Sequence, residues 1–263
     1  MRPGWAGAVA LAALLSAHPV DAQVKVSPMT IDPGELLMTV GEQARRELRP
    51  WDALHAFEEV LSKEPHHYGA LWRSARESVA LGALSGSDDE RKRRFLDAED
   101  RARQAVGVDP QGDEAHLWLA VALGKRATLE GPRTKVRLAV EMRELALRTL
   151  ELNPHSAGAH HVLGEWHAEI RRLSGVTRWA ARKLLGADVF DEASWDDAEL
   201  HLRRAVELEP GSASHRLALG RLQLDRGRPA DAAEHLRRVL ESPPTDPEDG
   251  LHRASAEELL RGT

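Results

Sequence analysis

The densest set of side chains able to bind a metal or move a proton lies between His160 and Glu169, in the run HHVLGEWHAE. His161, Glu165 and Glu169 are spaced i, i+4, i+8, so they share one face if the segment is helical. Imidazole and carboxylate are suitable zinc ligands, and such a stripe can hold a metal. The plainer reading is a solvated or partner-facing polar stripe, with one histidine packed on a neighbouring helix. That reading is adopted, and no metal or other cofactor is expected. The HExxH arrangement of zinc proteases occurs nowhere in the chain.

Other catalytic chemistry finds no footing. The chain has no cysteine, which removes thiol nucleophiles, thiolate metal sites and disulfides together. No serine stands in a Gly-x-Ser-x-Gly elbow, and no glycine-rich loop of the phosphate-cradling kind is present. The expectation is a protein that is not an enzyme. Its formal charge of −6, with 36 Lys and Arg against 42 Asp and Glu, lacks the basic excess of a nucleic-acid binder.

The elements that must position these residues announce themselves by repetition. Five segments follow one pattern: a small residue, an apolar one four positions on, a small or β-branched one three further, then Pro after five more. The instances are Ala53/Phe57/Val60/Pro65, Ala98/Ala102/Ala105/Pro110, Met142/Ala146/Thr149/Pro154, Ala198/Leu202/Ala205/Pro210 and Ala232/Leu236/Val239/Pro244. This is the second helix of a tetratricopeptide unit, where small residues let two helices approach and Pro ends the second. Nine and ten residues after the Pro, the first helix should carry Leu-Gly or a substitute, as in Leu163-Gly164 and Leu219-Gly220. Leu119-Ala120 and the weaker Ser74-Ala75 fill the same place, and Val40-Gly41 opens the series. The predicted fold is an all-α tetratricopeptide-like solenoid of helix-turn-helix units over residues 35–263. It has five helix pairs and a capping helix from Pro247 to Leu260, with Asp246 as its N-cap.

Only the last Pro-to-Pro interval matches the roughly 34-residue unit. The interval from Pro154 to Pro210 is the longest and holds an extra helical insert at 174–187. Val176, Trp179, Ala180, Leu184 and Ala187 fall on one face of that insert, with Arg171, Arg172, Arg178, Arg182 and Lys183 around it. The preferred reading packs the apolar face on the solenoid; a lipid surface or a protein partner is the alternative.

Residues 1–22 read as a secretory signal peptide: Arg2, an apolar stretch from Trp5 to Ala17, then small or moderate residues before a cleavage point after Ala22. An extended lead-in is expected over 23–34, and the mature chain is expected in the periplasm or secreted, with no membrane-spanning segment. In a solenoid of this kind the first helices line the inner face. The groove-facing candidates are therefore Trp72, Arg76, Leu117, Val121, His161, Glu165, Glu169, Leu217 and Arg221, with Trp179, Arg178 and Arg182 on the insert. Asn153 is the lone asparagine, so the Lys/Asn/Arg clamp that grips C-terminal carboxylates is absent.

With these motifs the chain resembles the regulator of microtubule dynamics family of tetratricopeptide-like proteins. The resemblance rests on Ala70-Leu71-Trp72-Arg73, on Ala115-His116-Leu117-Trp118, and above all on the block Leu152 to Ala205 with its LNPHSAGAHHVLGEWHAEI and Trp-bearing basic insert. It implies a non-catalytic helical repeat domain. Eukaryotic members are linked to microtubules, to contacts between mitochondria and endoplasmic reticulum and, in one case, to phospholipid binding and transfer. The export signal and Ala/Arg-rich, bacterial-looking usage set this sequence apart from them. The expected function is protein–protein interaction or scaffolding outside the cytoplasm, with a protein or peptide partner and no nucleic acid. The rival is a carrier of lipid or another apolar ligand inside the groove.

Overall fold

The computed structural model describes residues 32–262, so the signal peptide and nearly all of the lead-in lie outside the described residues. Within them the chain forms twelve α-helices and one short 3-10 turn, Asp188–Glu192. Five antiparallel pairs follow one another: α1 (Pro33–Arg46) with α2 (Pro50–Lys63), α3 (Tyr68–Leu84) with α4 (Asp88–Val108), α5 (Asp113–Ala127) with α6 (Pro132–Leu152). The series continues with α7 (Ala157–Arg172) against α9 (Trp195–Leu208), and α10 (Ala213–Asp225) against α11 (Pro229–Glu241). The insert is α8 (Gly175–Leu185), and α12 (Asp249–Arg261) closes the chain. The first helices α3, α5, α7 and α10 touch in succession, which makes this a tetratricopeptide-like solenoid.

Small residues set the pairing distance. Ala53, Ala98, Ala102, Ala105, Ala146, Ala198, Ala205 and Ala232 are all fully buried, as are Phe57, Leu202 and Leu236 between them. The partner helix meets them with glycine: a Cβ on Gly164 would lie 2.5 Å from Leu202 Cγ and 3.1 Å from its backbone nitrogen. Gly41 lies against Phe57 and Gly220 against Leu236 in the same way. In α3, Ala75 packs in one cluster with Ala98 and Ala102 of α4, and a further close approach comes two turns later, where Gly82 meets Phe95.

The prolines work as turn residues. Pro65, Pro110, Pro154 and Pro210 each occupy the second position of a four-residue turn closed by a backbone bond: His67 N to Glu64 O at 3.0 Å, then Gly112 to Asp109, Ser156 to Asn153 and Ser212 to Glu209 at 3.1 Å each. Pro is preset for that position, and the fourth residue of each turn is the N-cap of the next helix. Pro244 breaks the series: no turn closes on it, and the next backbone-bonded turn, Asp249 N to Asp246 O at 3.0 Å, comes only just before the last helix. The capping helix also starts later than its sequence suggests. Glu248 is its N-cap, and the Asp246 carboxylate instead accepts from Glu248 N at 2.9 Å. At the other end α1 begins at Pro33, inside the expected lead-in, with Asp32 as its cap.

Gly164→Ala is expected to cost about 1–3 kcal/mol through overpacking against Leu202, lowering the melting temperature by roughly 2–4 °C per kcal/mol in a chain of this size. Gly220→Ala should be nearly neutral. Its nearest neighbour is the end of the Leu236 side chain at 3.0 Å, and the better helix propensity of Ala offsets the contact. Equal losses for the two variants in thermal melts would refute this account of the pairing.

Candidate functional site

A cavity of about 710 Å³ opens on the inner side of the solenoid. Val121 of α5, Val136 and Met142 of α6, Val162, Trp166 and Ile170 of α7 and Phe190 after the insert form its apolar wall. Trp166 is its fixed centre: it is 1% exposed, donates from Nε1 to the Ala139 carbonyl at 2.9 Å, and meets Phe190 edge-on at 5.9 Å. The space exists because the chain between α7 and α9 swings over α6 instead of turning straight back. Thr177 and Ala181 of α8 then close the cavity from outside.

Polar groups reach this wall from α7 and α10. His161 Nδ1 and Glu165 Oε1 are buried with no hydrogen-bond partner. Burial, reinforced by the His215 ring tilted against it 4.9 Å away, holds the His161 imidazolium well below the ordinary histidine range. Burial pushes the Glu165 carboxyl up, and Arg172 and Arg221 only partly oppose it. A neutral imidazole and a carboxyl inclined to keep its proton thus sit one helical turn apart, each able to donate to or accept from a polar ligand group. Arg221 and Lys135 are exposed at the rim.

The cavity gathers Val121, His161, Glu165, Glu169, Leu217 and Arg221 from the sequence-derived candidates. The others go elsewhere. Trp72 is buried in the first core cluster under the guanidinium of Arg73, 4.0 Å from the ring centroid. Arg76 pairs with Glu77 at 2.7 Å and Glu42 at 3.2 Å, so its charge is satisfied internally. Leu117 is buried against Gly158. His160 and His167 turn away from His161 toward His201 on α9, with His160 Nδ1 2.9 Å from His201 Nδ1. Burial and these two rings push His201 down to about 4. Among the described residues no set of three His, Asp or Glu side chains is arranged to hold a metal ion.

The insert is oriented opposite to the preferred sequence reading. Val176, Trp179 and Leu184 are 77%, 56% and 72% exposed, so the apolar face looks away from the solenoid. Ala181 and Ala187 are buried instead, since methyl side chains let the helix lie close against α6 and α7. Arg178 donates to the carbonyls of Leu173 at 2.9 Å and Arg171 at 3.2 Å, covering the free carbonyl end of α7. Arg182 pairs with Asp191 at 2.7 Å.

Lys125 and His252 also line the cavity, and α12 brings the second of them. The segment ahead of α12, residues 242–248, runs along the inner face. Asp246 pairs with Arg45 of α1, which also holds Glu77 at 3.1 Å, and Glu248 pairs with Lys125 of α5 at 2.5 Å. Repeat position points to neither contact, because the segment belongs to no repeat.

Glu165 yields a pH prediction. Its folded-state pKa is raised, so the stability it contributes is complete below the ordinary carboxylate range and is lost as pH rises through the folded value. Glu165→Gln removes that loss. The variant should melt higher than wild type at pH 7.5 and converge with it near pH 4. A difference independent of pH would show that Glu165 is solvated.

The family model described as regulator of microtubule dynamics protein 1-3 matches residues 35–263. Among curated relatives, bovine regulator of microtubule dynamics protein 1 is 28% identical over 202 residues, 76% of this chain and 63% of its own length. Rat regulator of microtubule dynamics protein 3 is 27% identical over 190 residues, 72% of this chain and 40% of its own. The chain therefore spans less than two thirds of the length of these relatives. Among solved structures, a thermophilic tetratricopeptide protein of Thermus thermophilus superposes with a TM-score of 0.61 at 23% identity, covering 86% of this chain and 99% of that one. That likeness establishes the fold, and the family match over nearly all described residues establishes the lineage: the chain belongs to the regulator of microtubule dynamics protein 1-3 family.

Proposed function

We propose that this protein is a non-catalytic helical-repeat binder whose inner cavity receives the apolar body of an amphipathic small molecule, an acyl-bearing lipid being the class that fits. The carrying observation is the apolar space of about 710 Å³ around Trp166, with the unpartnered polar atoms of His161 and Glu165 at its side. Its size falls within the roughly 300–1,000 Å³ of ligand pockets, and a mostly apolar wall with few convergent polar groups is their usual make-up. An open polar groove would have favoured a protein partner. Microtubule dynamics, in the relatives' names, describes those proteins; the reading here rests on the cavity. Export after cleavage near Ala22 is part of the proposal and rests on the sequence of residues 1–22.

A second reading, an acidic extended peptide on the inner face, is favoured by one observation. The chain's own Pro-rich segment 242–248 already lies there, held through Asp246 to Arg45 and Glu248 to Lys125.

Native mass spectrometry of the purified protein tests the first reading. A co-purifying ligand mass is expected in wild type and should be at least about tenfold depleted in Val121→Trp, which fills the space from α5. Equal occupancy, or no bound mass together with no uptake of a fluorescent fatty acid, would overturn it. For the second, the Arg45→Ala/Lys125→Ala double variant should expose residues 242–248 to protease; unchanged cleavage would argue that the ion pairs do not hold the segment.

A further inference from the structure

The outer face of α8 has no partner in the fold. Among the described residues Val176 and Leu184 are the two most exposed large apolar side chains, and Trp179 lies between them on the same face. The spacing 176, 179, 180, 184 is that of one helical stripe. Other large apolar side chains such as Trp51 and Leu200 are exposed as well, but among the described residues no other helix carries three of them.

Charge says what covers it. From Arg171 to Ala187 the chain carries Arg171, Arg172, Arg178, Arg182 and Lys183 and no acidic residue, within a protein whose net charge is −6. Some of that charge is matched: Arg172 by Glu169 and Asp225, Arg182 by Asp191 in the following turn. Arg178 is taken up by the carbonyl end of α7, and Lys183 is exposed with no carboxylate within 4.0 Å among the described residues. The helix is also self-supporting. Ser174 accepts from Thr177 N at 3.1 Å, and Gly186 ends it in the left-handed conformation at φ 68°.

We infer that α8 is a docking helix for an anionic lipid surface, with Val176, Trp179 and Leu184 entering the interface and Lys183, seven residues after Val176 and so on the same face, reaching the headgroups. Trp beside aliphatic side chains, with a long-stemmed Lys among them whose ammonium reaches the polar headgroups, is the chemistry of an interfacial helix. Thr177 and Ala181 line the cavity, so the docked helix adjoins both bilayer and cavity. Docking depends on the outer face alone and would hold whatever the cavity takes.

The test is flotation of the chain from Gln23, which retains the compact unit Asp32–Thr263 with all its core clusters and omits the apolar stretch Trp5 to Ala17. Wild type should float with phosphatidylcholine–phosphatidylglycerol vesicles, float far less with phosphatidylcholine alone, and be released by high salt. Trp179→Asp and Val176→Asp/Leu184→Asp should each reduce the bound fraction about tenfold with unchanged thermal melts, since these side chains contact little of the protein. Lys183→Glu should reduce it on anionic vesicles only. Recovery of the variants equal to wild type, or no flotation on anionic vesicles, would overturn the proposal. So would a dimer that the Asp variants dissociate without changing flotation, because the stripe would then belong to a second copy of the chain.

Discussion

Every part of this protein depends on how closely two helices can approach within a pair. Ala53, Ala98, Ala198 and Ala232 have no accessible surface, and Gly41, Gly82 and Gly164 on the facing helices leave no room even for a methyl group. At that distance the larger residues Phe57, Leu202 and Leu236 interlock with the partner backbone rather than stand between the helices. Each pair is then thin enough to stack on the next, and the first helices are brought to one side. The inner face, the cavity and the route of the C-terminal segment all follow from this spacing.

The cavity is where that rule is relaxed. Between α7 and α9 the chain does not turn back at once; α8 and the Phe190 turn are laid over α6, and Trp166 anchors the arrangement through the Ala139 carbonyl. The apolar interior gained there is paired with polar groups that lack partners, which a fold optimised for stability alone would avoid. His161 and Glu165 cost stability where they stand, as buried groups at a ligand site commonly do.

The sequence displayed the pairing directly, because small residues at fixed offsets and Pro at a fixed distance are local signals that neighbours on one chain segment satisfy. The inward position of His161, Glu165 and Arg221 was equally legible, since register along a first helix decides it. What could not be read were contacts across elements. Amphipathicity identified the two faces of α8 but not which one turns inward; Ala181 and Ala187 decided that by permitting a closer fit than Trp179 or Leu184 would. Trp72 and Arg76 occupy groove positions by repeat count, yet Arg73 and the carboxylates of Glu42 and Glu77 hold them within the α1–α3 packing. Pro244 obeys the spacing of the four turn prolines, but Pro243 before it and no helix directly after it leave the chain irregular there.

That irregular stretch gives the solenoid a property its repeats lack. A stack in which each unit touches only its neighbours comes apart from its ends, because the terminal pair has one interface instead of two. Here the pairing of Arg45 with Asp246 joins the first helix to a segment 201 residues later, while Lys125 with Glu248 ties the middle of the stack to the same segment. The first and last units can no longer fray independently. The array behaves less like an open spring than like one with its ends clasped, so its loosening is a single concerted event rather than a series of small ones.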